Sequence, residues 1–162
     1  MTYLSTAIGP ILSPLDSFLV LRGVKRLPFR TQHHCLNARP VAEFLEKHRG
    51  IERVYYPGLE SHSQHPLVGC QMAGFGAMIS VVVRGGLESA NQLLERTQSF
   101  PLATSLGGVE SLIEHPAIMP HASVPRSVRH KIAIVDGLVR LSVGIDTLDD
   151  INNDLAAALD TL

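Results

Sequence analysis

The sequence predicts an α/β sandwich: helices packed on a small, largely antiparallel sheet, with a helical arm ahead of it. Three observations predict it. Apolar residues recur at helical spacing before Gly50. β-branched and aromatic residues alternate from Ile51 onward. Strand-like and helix-like runs then succeed one another to the C-terminus.

In order along the chain, residues 2–14 hold Gly9, Pro10 and Pro14 and read as an irregular lead-in. Ser13 followed by Pro14 is a helix start, a capping hydroxyl and then a proline at the first helical position. Phe18, Leu19, Leu21 and Leu27 continue that helix until Pro28 interrupts or kinks it. A second helical run carries Val41, Phe44 and Leu45 and ends near Gly50. Pro40 lies inside it, and an interior proline costs about 3 kcal/mol, so a break or a new first turn is expected there.

Ile51 to Tyr56 reads as a strand closed by Pro57-Gly58, and Leu67 to Met72 as a short helix. Ala77 to Val83 is a second strand, stopped by Gly85-Gly86, and Leu87 to Arg96 an amphipathic helix. Phe100 to Ser105 and Val109 to Ile113 read as short strands ahead of a loop broken by Pro116, Pro120 and Pro125. Leu138 to Val143 is the last strand. Leu148 to Leu162 is the closing helix, with Thr147 as its cap and Asp149 and Asp150 in the first turn, where the helix dipole favours them.

Bulk properties narrow the function classes. A chain of 162 residues, 45% of them hydrophobic, can bury one core. The apolar stretches are too short to span a membrane, and Met1 to Ser13 lacks the basic residues of an export signal. A net charge of -1 gives no footprint for nucleic acid or an acidic membrane. Cys35 and Cys70 form no CxxC pair, and a reducing cytoplasm is the natural setting.

Two segments invite chemistry. In Thr104 to Leu112, two adjacent glycines follow a serine, so the backbone can approach a ligand and offer N–H groups to an anion, with Glu110 close behind. An ordinary turn between strands explains the same residues. Arg140 stands in the apolar strand from Gly137 to Gly144. Alternation puts Leu138, Arg140 and Ser142 on one face and Val139, Leu141 and Val143 on the other. Its planar fork suits a carboxylate. An internal salt bridge to Asp136, Asp146 or Glu110 would equally account for it. Among the eight histidines, His62 and His65 form an HxxH without helix signals or an acidic third ligand. His33, His34, His115 and His121 show no metal-ligand spacing, so no metal site is expected.

At these residues the sequence resembles the Cys/Met-metabolism family of pyridoxal-phosphate enzymes, which includes cystathionine γ-synthase and γ-lyase. The resemblance runs from about Gly9 to the C-terminus. It is carried by Leu12 to Gly23 (LSPLDSFLVLRG), by Val54 to Leu59 (VYYPGL) with His62 and His65, by Ser105 to Ala117 (SLGGVESLIEHPA) and by Asp136 to Ile145 (DGLVRLSVGI).

The resemblance implies the small C-terminal domain of a fold-type-I pyridoxal-phosphate transferase. Residues 1–50 would form a lead-in and helical arm toward a large domain, and residues 51–162 the small domain itself. It implies that Arg140 grips the substrate α-carboxylate, that Ser105 helps hold it, and that Glu110 lies by the substrate's distal end. Glu110 points to γ-type enzymes over cystathionine β-lyase, where a tyrosine is usual. It also implies small amino-acid substrates (cystathionine, cysteine or an activated homoserine), a cytoplasmic homo-oligomer, and pyridoxal phosphate as cofactor.

The family's cofactor lysine lies in a Ser-x-Thr-Lys-like motif upstream of the matched region. Lys25, Lys47 and Lys131 lack that setting, so no catalytic residue is expected in this chain, and the chain alone is expected to be inactive. A stand-alone binding module or a truncated gene product is the alternative; the DNA upstream of Met1 would discriminate. Departures from the family pattern include Pro120 in Met119-Pro-His-Ala-Ser123, Thr104 ahead of Ser105, Ala133-Ile-Val-Asp136 for the usual Gly-Ile-Ser-Asp, and Pro40 within a long helix.

Overall fold

The computed structural model describes residues 3, 7–9 and 11–162. The chain forms two compact units, Met1–Arg30 and Thr31–Leu162. In the first, Tyr3, Ala7 and Ile8 are helical where an irregular lead-in was expected; residues 2, 4–6 and 10 of that stretch lie outside the described residues. Helix α1 (Pro14–Val24) starts as the sequence predicts: the Ser13 hydroxyl accepts the Asp16 N–H at 3.1 Å, and Pro14 opens the first turn. None of its residues is buried.

Helix α2 (Leu27–Lys47) places Pro28 in its first turn and runs through Pro40 without a break, contrary to expectation. Pro40 leaves the Leu36 carbonyl without its helical donor, but Leu36 is exposed, where water can serve. On the opposite side Ala38, Val41, Ala42 and Leu45 are fully buried. Burying side chains such as Val41 and Leu45 contributes about 1.5–3 kcal/mol each, enough to offset the proline.

Four strands, β1 (Ile51–Tyr55), β2 (Met78–Val83), β3 (Leu112–Glu114) and β4 (Leu138–Ser142), make an antiparallel sheet in the order β1-β2-β4-β3. Ile79, Val81, Val83, Ile113, Val139 and Leu141 face the core, as strand alternation requires. Helices α4 (Gly86–Arg96) and α6 (Leu148–Leu159) pack on each other and bring Ala90, Leu93, Ile151 and Leu155 into that core. Helix α3 (His65–Gln71) lies between β1 and β2 in sequence. The α/β class and the antiparallel sheet are therefore as the sequence indicates.

Local details differ. The strand expected over Phe100 to Ser105 is reduced to one bridge, Leu102 to Ile113. The strand expected at Val109 to Ile113 begins later, because Val109 to Ser111 is laid against the chain at Gly144 and Ile145. Thr147 stands at the N-cap of α6, but its hydroxyl makes no capping bond. A further helix, α5 (Arg126–Lys131), follows Pro125 inside the proline-broken loop. It buries no residue, so it carries no apolar period that could announce it.

Ala133 sits at φ 63°, in the left-handed region where a Cβ is unfavourable. Replacing it with glycine removes about 1–2 kcal/mol of strain and adds about 0.4–1 kcal/mol of unfolded-state entropy cost. Ala133→Gly is therefore expected to raise the denaturant midpoint, by about 0.5–1 kcal/mol of stability. An unchanged or lower midpoint would contradict the strain.

Candidate functional site

The polar residues collect on the face of β4 that turns away from the core helices. Backbone register sets Arg140 between Ser80 of β2 and Glu114 of β3. The Arg140 Nη2 forms an ion pair with Glu114 Oε2, and it donates to the Ser105 carbonyl at 3.1 Å. Glu114 is 2% exposed, while the Arg140 side chain keeps 24% exposure. The internal partner is thus Glu114, correcting the three alternatives entertained from sequence. Asp136 is taken by Arg126 at 2.5 Å and Arg129 at 3.3 Å, with His130 at 3.6 Å. Asp146 accepts from the Ser111 hydroxyl at 2.6 Å. Glu110 is exposed and ion-pairs with no residue among those described.

The glycine turn is brought beside Arg140 by the next residue on the same face. Ser142 accepts the Gly107 N–H at 3.0 Å, and Gly107 has a positive φ of 73°. The Glu110 carboxylate folds back over Gly108, where a Cβ would meet its Oε1 at 2.7 Å. Farther along, Ile145 donates to the Val109 carbonyl at 2.9 Å, and Gly144 donates to the Ser111 hydroxyl at 2.9 Å. Asn37 of α2 donates to the carbonyls of Gly144 at 3.1 Å and Asp146 at 2.8 Å. Ser105, Glu110 and Arg140 are therefore on one loop-and-strand unit, with the Ser105 side chain exposed. Strand alternation already places Ser142 beside Arg140, whereas Glu114, Ser111 and Asn37 were missed in the sequence. Only Glu114 carries a signal there, a lone acid after the apolar pair Leu112-Ile113.

Several of the histidines have structural partners. The His65 ring stacks on Phe75 and its Nδ1 lies 2.8 Å from the Pro57 carbonyl. His121 Nδ1 lies 3.1 Å from the Pro116 carbonyl. Among the described residues no three His, Cys, Asp or Glu converge. A broad groove bordered by Arg96, Asp146 and Asp154 does not include Arg140, Ser105 or Glu110. Its Asp154 carboxylate is already used by the Gln98 and Ser99 N–H groups.

His115, next to Glu114, is fully buried. Burial pushes its pKa below the ordinary 6.5. The unfolded chain then binds the proton first, so stability is complete above pH 6.5 and declines as pH falls below it. The slope is expected to reach at most about 1.4 kcal/mol per pH unit. Denaturation of His115→Gln over the same range should show that component removed; an identical slope would refute the assignment.

A four-stranded antiparallel sheet with covering helices, bearing an arginine under a glycine turn, defines a small α/β domain with a polar site around Arg140. The chain belongs to the Cys/Met metabolism PLP-dependent enzyme family, whose pattern matches residues 1–160. It is 56% identical over 159 residues to a cystathionine beta-lyase of Coxiella burnetii, covering 98% of this chain and 41% of that protein. It is 49% identical over 160 residues to a cystathionine gamma-lyase of Dictyostelium discoideum, covering 99% of this chain and 41% of that one. The crystal structure of cystathionine gamma synthase from Xanthomonas oryzae pv. oryzae superposes with a TM-score of 0.91 at 44% identity, over 98% of this chain and 41% of that one. The chain thus spans 41% of the length of these relatives. Their names cover three reactions, so overall similarity does not select among them.

Pyridoxal phosphate, the family's cofactor, supplies an electron sink and is held covalently through a lysine amine. The lysines here do not fit that role. Lys25, Lys47 and Lys131 are exposed at helix ends, and none pairs with Arg140, Glu114, Ser105 or Ser142. Among the described residues no helix is long and apolar enough to cross a membrane.

Proposed function

We propose that this chain is the C-terminal, substrate-carboxylate-binding part of a pyridoxal-phosphate-dependent transsulfuration enzyme of the cystathionine γ-synthase or γ-lyase type. The observation that carries the reading is Arg140, set in an otherwise apolar strand beneath the loop of Ser105 and Glu110. Arg140 binds the α-carboxylate of a small amino acid, Ser105 assists, and Glu110 lies toward the distal end. The similar Xanthomonas structure is a complex with aminoacrylate and cysteine, and a site for such a carboxylate supports the same class of substrate. The γ-type assignment rests on Glu110. The arm, residues 1–50, leads toward the part of the enzyme that holds the cofactor, and the working form is a cytoplasmic homo-oligomer.

Alone, this chain with added pyridoxal phosphate is expected to release no keto acid from L-cystathionine. Co-expression with a chain bearing the Ser-x-Thr-Lys lysine should restore turnover. In that assembly Arg140→Ala is expected to lower kcat/KM by about 100-fold, as for loss of one partner in a desolvated charge pair. Turnover by the chain alone would overturn the inactivity, and full activity of Arg140→Ala would overturn the grip.

A further inference from the structure

We infer that Glu114 is a positioning residue, whose buried carboxylate holds the Arg140 guanidinium so that Nη1 faces an incoming carboxylate; this rests on the reading of Arg140 as the carboxylate grip. Both polar contacts of the guanidinium, to Glu114 and to the Ser105 carbonyl, fall on Nη2. Nε is buried and has no hydrogen-bond partner among the described residues. Among the described residues nothing pairs with Nη1, the donor nitrogen left at the open part of the side chain.

A guanidinium is flat and sits on a long stem with many rotamers, so one fixed nitrogen removes most of its orientational freedom. Glu114 is well suited to fix it. Its Cα is the register partner of Arg140, so the backbone ladder sets the two side chains opposite each other. It follows Ile113, fully buried, in a three-residue strand. A carboxylate this deep has lost most of its water. Pairs of that kind contribute little stability relative to apolar replacements, so stability is not what Glu114 chiefly supplies. Glu114 also offsets the Arg140 charge before a ligand arrives, so binding depends on the direction of the donors.

The test reads arginine reactivity in the full 162-residue chain. Phenylglyoxal modification is followed at each arginine by peptide mass spectrometry, so self-association does not blur it. The probe is 2-hydroxybutyrate, an α-carboxylate with no amine or thiol to consume the reagent; 2-hydroxybutyramide is the control. Arg129, ion-paired to Asp136 and only 11% exposed, reports folding independently.

In the unaltered chain, 2-hydroxybutyrate is expected to slow modification of Arg140 saturably, and the amide is not. In Glu114→Gln, Arg140 should react several-fold faster, Arg129 should be unchanged, and the half-protecting concentration should rise at least fivefold. Glu114→Asp, which keeps the charge on a shorter stem, should fall between. Equal protection in Glu114→Gln overturns the positioning role alone. A parallel rise at Arg129 in both variants makes Glu114 merely structural and also overturns it. Absence of protection in the unaltered chain removes the carboxylate grip, and the positioning role with it.

Discussion

Gly144→Ala is expected to destabilise the protein by about 3 kcal/mol and to displace the loop that carries Ser105 and Glu110. A Cβ at Gly144 would lie 2.5 Å from the Glu110 carbonyl carbon and from the Ser111 nitrogen, and closer still to the Val109 carbonyl oxygen. All three are backbone atoms, so no rotamer change relieves the clash. The loop must move, and it is pinned at that point by Ile145 N–H to Val109 O and by Gly144 N–H to the Ser111 hydroxyl. Overpacking of this kind costs about 1–3 kcal/mol, and each hydrogen bond lost adds about 0.5–1.5 kcal/mol. Gly69→Ala is the control. Among the described residues nothing lies within 4 Å of its Cβ, and it sits in helix α3, so alanine should be neutral or stabilising by up to about 1 kcal/mol. Urea denaturation of both variants separates the cases. If Gly144→Ala keeps its midpoint, the loop is not packed on Gly144 as described.

The second large effect is association of the chain with itself. Helix α1 exposes Leu15, Phe18, Leu19, Val20, Leu21 and Val24, each more than half accessible, and Leu12 and Phe29 flank it. Soluble monomers rarely display so continuous an apolar surface. Burying one such side chain contributes about 1.5–3 kcal/mol, whereas association costs about 4–15 kcal/mol in lost freedom. Two or three side chains, at about 3–9 kcal/mol, reach only the lower part of that range, whereas the six on this helix, at about 9–18 kcal/mol, reach its upper part. Sedimentation is expected to show oligomers whose share grows with concentration. Phe18→Ser combined with Leu19→Ser and Leu21→Ser should shift the chain to monomer. A monodisperse monomer of the unaltered chain would count against the prediction.

Much of this molecule is legible before any coordinates are seen. The switch from helical spacing to alternation after Gly50 is a local property, and β1, β2, β4, α4 and α6 follow from it with ends shifted by a few residues at most. The start of α1 is equally local, since a capping serine and a following proline act within one turn. Pro40 is not local: its cost is local, but the burial of Val41 and Leu45 that offsets it depends on what packs over them. Ala133 likewise tolerates its left-handed backbone because the surrounding chain imposes it.

The face bearing Arg140 was legible in the same partial way. Period two places Arg140 and Ser142 together, and the glycine turn invites an anion, but alternation within one strand says nothing about which residue stands opposite. That is set by register between strands far apart in sequence, and Leu112 to Glu114 pairs with Arg140 to Ser142 in a register no local pattern announces. By itself, then, the sequence determined the class of fold, the family and the arginine worth attention. Only the tertiary structure decided that Arg140 leans on Glu114 and that Ser142 holds the glycine turn. Hydrophobic periodicity is written into consecutive residues, whereas ion-pair partners are chosen by the stacking of strands.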